Sequence, residues 1–570
     1  MTKKIKFQYI AIIAITFISL GIYFNSLNNS FVFDDLPSIV NNPYIRNLND
    51  FSLLLQGIQS YTGKYRALPT ITFAINYHLH HLDVLGYRLV NLILHILSGF
   101  LVYFISRHLF LLGSKRGDAL EKRYFDDPTF NLISLFAALI FITHPIQVNT
   151  VTYIVERNEG LASFFYLLTF FLFIKGISQI GRRKILYFCG TGLSFLGSIL
   201  SKETGFTLPI ILILFDLMFV CKKREDTLKR LKIYIPLFLF SMTYILFFLK
   251  GGMLWLLIKG SPDWRWTPWE NLLTQANVIL QYVKLLFLPL PGWLNIDHHV
   301  QVSKSFLEYP TWISVSILLA FLVLAGILFK KKKLISFSIC WFFIVLAPTS
   351  SVIPIWDIMV EYRLYLPLFS YALLLTMGFG YLYHLLHRPD AKILSRNIVL
   401  GLAMLLLCFY SFITIERNKV FRDELTLWQD ALRKSPDKMR VHHNLGRAYF
   451  HRGQFDEAIR EGEVALRLSA HLNRKENVKF VLNLLGGAYL VKGENQKALS
   501  MFQQAIEVDP NFATSYYNVS CLYAIQHEKE KAIEHLKKGI ALDPIYKEKA
   551  RKDKDFDFLR GGKEFEELLK

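Results

Sequence analysis

The feature that most constrains this chain is a succession of apolar runs, each about long enough to cross a bilayer, that recurs from Phe7 to about Ile415 and then stops. About 20 predominantly apolar residues cross the roughly 30 Å hydrocarbon core as a helix. In lipid only helices and closed barrels satisfy every backbone N–H and C=O. Runs near 7–24, 86–106, 130–146, 159–177, 185–201, 205–221, 233–250, 311–329, 334–347, 364–386 and 397–415 predict eleven crossings, the run at 334–347 being the shortest. The segment 272–290 is also apolar, but Asn271, Gln275, Asn277, Gln281 and Lys284 in or beside it suit a re-entrant or interfacial helix better than a span. Hydrophobic residues make up 53% of the chain and 48 residues are Phe, which excludes an ordinary soluble enzyme. The five cysteines are widely separated and show no metal-binding spacing, so they read as apolar fillers.

Basic residues set the orientation. Lys3, Lys4 and Lys6 precede the first run. Further clusters fall at Lys115/Arg116/Lys122/Arg123, Arg182 to Lys184, Lys222 to Lys232, Lys330 to Lys333 and Arg388/Lys392/Arg396. Each occupies every second loop of an eleven-span arrangement, which makes those loops cytoplasmic. The N-terminus is then cytoplasmic and everything after Ile415 is outside. The formal net charge of +20 follows from this topology and calls for no nucleic-acid partner. The first run lacks a small-residue cleavage site and reads as a retained span.

After Ile415 the apolar runs give way to a repeat. Leu445-Gly446-x-Ala448-Tyr449, Gly453 and Ala458 recur forty residues on as Leu485-Gly486-x-Ala488-Tyr489, Gly493 and Ala498. Leu522-Tyr523 and Ala532 follow at thirty-four residues, the same interval that separates Asp509-Pro510 from Asp543-Pro544. That period and pattern are those of tetratricopeptide repeats, helix pairs stacked into a solenoid. The longer first interval implies an inserted loop near 470–477. The fold class is therefore all-α, a polytopic membrane helix bundle followed by an α-solenoid. Residues 1–415 form the membrane domain, 416–436 a connecting helix or half-repeat, and 437–570 about three repeats with a terminal cap.

The chemistry gathers in the loops placed outside the cytoplasm. Asp34 and Asp35 follow the first span directly, and two carboxylates beside a bilayer are costly unless a cation, a proton transfer or a substrate uses them. His144-Pro145 leads to Glu156-Arg157-Asn158-Glu159, and Ser201-Lys202-Glu203 ends another span. Asp297-His298-His299 follows the interfacial segment, and Asp357, Glu361, Arg363 and Tyr365 precede the tenth span. Taken singly, each has a bland reading. A Lys at a span end snorkels, Glu-x-Arg is a local ion pair, and His144 before Pro145 is a helix cap. Together, carboxylates and cations at one membrane surface describe a site for an anionic lipid substrate.

These segments resemble a known family. Phe33-Asp34-Asp35, Asn42-Pro43-Tyr44-Ile45, Gly86-Tyr87-Arg88, His144-Pro145, Ser201-Lys202-Glu203, Pro348-Thr-Ser-Ser and Arg363-Leu-Tyr-Leu-Pro367 look like the transmembrane and tetratricopeptide-repeat proteins, O-mannosyltransferase-like members of the GT-C glycosyltransferase superfamily. The resemblance covers nearly the whole chain. Two departures are Arg66-Ala67-Leu68-Pro69, where relatives tend to have Arg-Pro-Leu, and Arg88, where they tend to have His.

The resemblance implies transfer of a sugar, mannose among the candidates, from a polyprenyl-phosphate donor to a protein hydroxyl on the periplasmic or lumenal side. The family's distribution favours a bacterial inner membrane. Asp34 or Asp35 matches the family's catalytic acidic motif, and Arg157, Lys202 and Arg363 become the donor-phosphate ligands. Glu156, Glu203, Glu361, His144 and Tyr365 would support them. Some members of the superfamily use a divalent ion, Mg²⁺ or Mn²⁺, which Asp34 and Asp35 would hold; no other cofactor is implied. The repeats would recruit the protein acceptor. A non-catalytic membrane-anchored scaffold for envelope assembly is the alternative.

Overall fold

A computed structural model of the chain describes residues 3–60, 66–115, 127–221, 224–249, 266–386, 392–471 and 477–570. Arg116, Lys122, Arg123, Lys222, Lys223, Arg388 and most of the insertion near 470–477 lie outside the described residues. Every regular element among the described residues is helical. The chain divides into two compact units: Met1–Ile296 with Val300–Asp423, and Asp297–His299 with Glu424–Lys570.

In the first unit, seven helices among the described residues are long and apolar enough to cross a membrane. They are Phe7–Ser26, Val84–Gly113, Ile154–Ile177, Glu203–Val220, Thr311–Leu328, Leu368–Leu386 and Leu394–Val420. An eighth is counted if Phe130–Thr143 and Pro145–Val151, bent by 48°, form one span. The bend falls at His144-Pro145, where the proline lacks an N–H and forces the residue before it into an extended conformation. The other three expected spans are helical, but differ from the expectation in length or composition. Gly181–Ile199 opens with Arg182-Arg183-Lys184. Arg224–Leu249 opens with a charged turn and contains Pro236. Lys333–Leu346 has 14 residues, about 21 Å of helix at 1.5 Å per residue.

That short helix is nevertheless central. Trp341 is fully buried, 5.3 Å from the Phe170 ring and 4.9 Å from that of Phe369. Phe170 in turn meets Phe215 at 5.3 Å. Edge-on aromatic packing of this kind accounts for much of the Phe content. Burial sorts the spans: Val84–Gly113, Ile154–Ile177 and Glu203–Val220 are each 61% buried within the protein, whereas Thr311–Leu328 is only 22% buried. Two of the three buried helices, Ile154–Ile177 and Glu203–Val220, begin at the candidate site.

The segment read as interfacial forms the helix Pro268–Phe287 and is not among the seven. Thr267 and Glu270 cap it reciprocally, with Pro268 at the first helical position. Two of its polar residues turn inward. Asn271 donates to the carbonyls of Ser351 (2.7 Å) and Ile353 (3.0 Å), and Gln275 to that of Ile358 (3.0 Å). Trp269, Leu272 and Phe287 remain exposed. An outer face that mixes these large apolar side chains with Gln281 and Lys284 suits a helix lying at a membrane interface.

In the second unit, Glu424–Lys434 precedes three antiparallel pairs: Met439–His451 with Phe455–His471, Val478–Val491 with Asn495–Val508, and Ala513–Ile525 with Lys529–Leu542. Gly446 and Gly486 sit where the paired helices press closest; a Cβ on Gly486 would stand 2.5 Å from the Phe502 ring. The turn within each pair needs a left-handed residue: Gly453 (φ 74°), Gly493 (φ 76°) and, in the third, His527 (φ 60°). Ile545–Lys552, Lys554–Leu559 and Lys563–Leu569 close the stack, burying Phe556 and Phe565. Asp297, grouped with this unit, is buried and held by Arg440 (2.7 Å) and Lys438.

Candidate active site

The two adjacent carboxylates of the first loop do different things. Phe33 holds a left-handed conformation (φ 50°), which costs a residue with a side chain about 1–2 kcal/mol, and its ring stacks on Tyr153. Beyond this turn Asp34 is exposed while Asp35 is fully buried. Asp35 accepts backbone hydrogen bonds from Val155 (2.7 Å) and Val32 (3.1 Å), tying the first loop to the second. Burial pushes its carboxyl up to about 7, against the pull of those two N–H groups and of Arg88. The Asp34 amide donates to the Tyr153 hydroxyl oxygen (3.1 Å), which fixes the backbone that carries the exposed carboxylate. Strain of this kind at one residue marks functional loops more often than structural ones.

Behind Asp34 lies a buried ion cluster. Lys202 stands 3.3 Å from Glu156 and 3.1 Å from Glu159, and its ammonium sits 4.3 Å above the centre of the Tyr362 ring. Burial alone would pull the Lys202 ammonium down, but the two carboxylates outweigh it and hold it above its ordinary value. Losing one partner of a buried pair costs about 3–5 kcal/mol, so Lys202 locks the second loop to the third. Arg66 donates to both oxygens of Glu203 (3.1 and 3.3 Å) at the edge of the cluster. Glu156 is the electrostatic hub, within range of Asp34, Arg66 and Lys202. Four loops distant in sequence thus meet on one side of the bundle.

The residues expected from sequence divide accordingly. Asp34, Glu156, Lys202 and Glu203 come together. Arg157 does not offer its fork to this cluster: it donates to Asn91 (2.8 Å), Asn76 (2.6 Å), Thr72 (3.3 Å) and the Tyr87 carbonyl (2.9 Å), and stacks on Phe73. Arg363 adjoins the cluster through Tyr362 and donates to the carbonyls of Asp357 (2.7 Å) and Ile358 (3.1 Å). Glu361 is buried, accepting from the Asn149 side chain and the Asn295 amide. His144 caps the turn after the proline bend, accepting from Ile146 (3.2 Å), with its other nitrogen on the Leu286 carbonyl. Tyr365 pairs with His95 (2.9 Å) in the core.

Sequence reasoning gave no site role to Arg66, Tyr153, Glu159 or Tyr362, although Arg66 and Glu159 lie in segments it singled out. Glu159 carried a local signal, since residues three apart at a helix start share a face. A divalent ion shared by Asp34 and Asp35 does not fit the geometry, because Asp34 is exposed while Asp35 is fully buried with each oxygen directed at a backbone N–H. Among the described residues, the one convergent group of three potential metal ligands is Cys521, Asp553 and Asp555, in the repeat unit. There the Tyr517 hydroxyl donates to Asp553 (2.6 Å).

Comparison with known proteins bears on both units. Tetratricopeptide-repeat family profiles match residues 437–511 and 513–546. The chain is 26% identical over 578 residues to Protein O-mannosyl-transferase Tmtc3 of Drosophila melanogaster, covering 90% of this chain and 62% of that protein. It is 25% identical to mouse Protein O-mannosyl-transferase TMTC4 (79% and 65%) and 26% identical to the human TMTC4 protein (78% and 64%). The chain therefore spans slightly under two thirds of the length of these curated relatives. A solved structure, the APC/C hetero-tetramer Cut9-Hcn1, covers 94% of this chain and 95% of its own at 13% identity and a TM-score of 0.23, too loose a match to bear on the fold. The resemblance read from the motifs holds: this is an integral-membrane protein with tetratricopeptide repeats, similar along most of its length to the TMTC protein O-mannosyl-transferases.

Proposed function

We propose that the chain is a GT-C-type glycosyltransferase that moves a sugar, mannose by analogy with its relatives, from a polyprenyl phosphate to a serine or threonine hydroxyl of a protein. Asp34 is the general base. The acceptor oxygen attacks the anomeric carbon as Asp34 takes its proton; the bond from that carbon to the phosphate oxygen breaks, and polyprenyl phosphate leaves from the opposite face. Inversion follows from that geometry. An aligned carboxylate contributes about 10²–10⁴-fold. Cationic donors meet the charge that develops on the leaving phosphate. Lys202 and Arg363 supply positive potential in the wall, while Arg157 and Asp35 fix the loops. The basic-loop bias supports a site outside the cytoplasm, in a bacterial inner membrane on the family's distribution, with the repeats recruiting the acceptor.

The observation that carries this reading is the exposed Asp34, set beside a cation-bearing cluster in a chain similar to O-mannosyl-transferases. The test is transfer from a polyprenyl-phosphate mannose to a Ser/Thr peptide by the purified protein. The wild type should transfer. Asp34→Asn should lose roughly 10²–10⁴-fold in rate with an unchanged melting temperature. A wild-type protein inert toward donor and peptide, yet retaining a protein partner, would favour the scaffold.

A further inference from the structure

We propose that Arg66 is the residue that meets the donor phosphate, with Glu203 holding its guanidinium in place until the donor arrives. The proposal rests on the polyprenyl-phosphate reading above and names the cation within it. The buried cations near the cluster are closed to a ligand. Arg157 is 0% exposed with four protein acceptors. Lys202 is 3% exposed between two carboxylates, and Arg363 is 6% exposed on two backbone carbonyls. Arg66 differs in each respect. Its side chain is 28% exposed, and among the described residues its one acceptor is Glu203, reached through a single guanidinium nitrogen. Its Nε and Nη1 therefore stay open, and displacing Glu203 from Nη2 completes the fork that a phosphate accepts bidentately.

Position and charge agree. Arg66 and Asp34 are both within electrostatic range of Glu156, so base and cation border the same feature. Burial alone would weaken the Arg66 charge, but Glu203, then Glu156, raise its affinity for the proton, so it is cationic at any working pH. Four carboxylates, Asp34, Glu156, Glu159 and Glu203, gather here, and Lys202 is enclosed between two of them. A bare phosphate entering this acidic surface is repelled unless a cation faces it. Glu203 is the group a phosphate would displace, and at 27% exposure it stands at the edge of the cluster, where an incoming anion reaches it.

The experiment uses the full chain in nanodiscs with citronellyl phosphate, a short polyprenyl-phosphate analogue, and with citronellol, the neutral alcohol. Wild type should bind the phosphate in preference to the alcohol. Arg66→Ala should weaken phosphate binding about 10–100-fold, the size of a lost charge-assisted hydrogen bond, and leave alcohol binding and melting temperature unchanged. Arg66→Lys should recover part of the loss, as a point charge without the fork. Glu203→Gln should tighten phosphate binding, because it removes the competing anion. Were Arg66 merely a structural partner, Arg66→Ala and Glu203→Gln would weaken binding alike, and that result would overturn the proposal. So would unchanged phosphate affinity in Arg66→Ala. A wild type that fails to distinguish phosphate from alcohol would remove the donor reading itself, and Arg66 with it.

Discussion

Asp34 and Asp35 are adjacent in sequence and opposite in environment, and this difference yields a paired prediction. Asp34→Asn removes the exposed carboxylate base and should slow transfer by roughly 10²–10⁴-fold while leaving folding intact. Asp35→Ala strips the acceptor from two backbone N–H groups, each costing about 1–3 kcal/mol when buried and unsatisfied. It should lower the melting temperature, measured by scanning fluorimetry, before any question of catalysis arises. If Asp35→Ala were as stable as wild type yet inactive, the roles would be exchanged. A second residue-scale case lies in the repeats. His527 occupies the left-handed position that Gly453 and Gly493 fill in the other two turns, at a cost of about 1–2 kcal/mol for a residue with a Cβ. His527→Gly should raise denaturant stability by roughly 0.5–1 kcal/mol after the entropy of the added glycine is subtracted. Destabilisation would mean that the contact of His527 with the Phe558 ring (5.0 Å) outweighs the strain.

Among the elements, the helix Pro268–Phe287 gives the sharpest test, because Asn271 and Gln275 are buried against the protein while Trp269, Leu272 and Phe287 are exposed. In a version lacking native cysteines, Leu272→Cys and Phe287→Cys should react slowly with a water-soluble maleimide in nanodiscs and quickly in a lipid-phase reagent. Rapid labelling from water would place that face in solvent and end the interfacial assignment. The polar residues Asn271, Gln275, Asn277, Gln281 and Lys284 made this helix legible in the sequence, since a crossing helix carries such groups only where they are satisfied. The repeats were legible for a related reason: each pair repeats the same close approach, so the same glycines recur at Gly446 and Gly486. The span count was less so. Hydropathy identifies apolar runs, but Gly181–Ile199 and Lys333–Leu346 owe their placement to packing, which a window average does not contain. The candidate site was half legible for the same reason. Motifs named Asp34, Glu156, Lys202 and Glu203, but which cation is closed by neighbours depends on loops that meet only in three dimensions, and Arg66 was legible only as the first residue of a motif from which the chain departs.

For the whole molecule, the basic-loop bias makes a reporter prediction. Alkaline phosphatase fused after Lys570 should be active and after Lys232 silent; the reverse would put Asp34 in the cytoplasm. A further prediction separates catalysis from recruitment. The cluster around Glu156 draws all its residues from the first unit, Met1–Ile296 with Val300–Asp423. The charged pairs within the repeats are mostly exposed, such as Lys538 with Glu534 and Arg460 with Glu457, and contribute little beyond solubility. Helical repeats stack on their neighbours and are stabilised chiefly by those contacts. Removing 437–570 should therefore leave donor binding and the chemistry in place. The truncation needs one companion change: Asp297 relies on Lys438 and Arg440, and a buried carboxylate stripped of both would be costly, so Asp297→Ser accompanies it. The truncated protein should still transfer sugar to a short Ser/Thr peptide at a rate within a few-fold of the whole chain. Transfer to a full-length protein acceptor should fall by at least about tenfold, the effect of losing roughly 1.4 kcal/mol of docking energy. Comparable loss on both acceptors, in a truncated protein that stays folded and binds citronellyl phosphate, would mean that the repeats complete the active site and do not merely deliver to it.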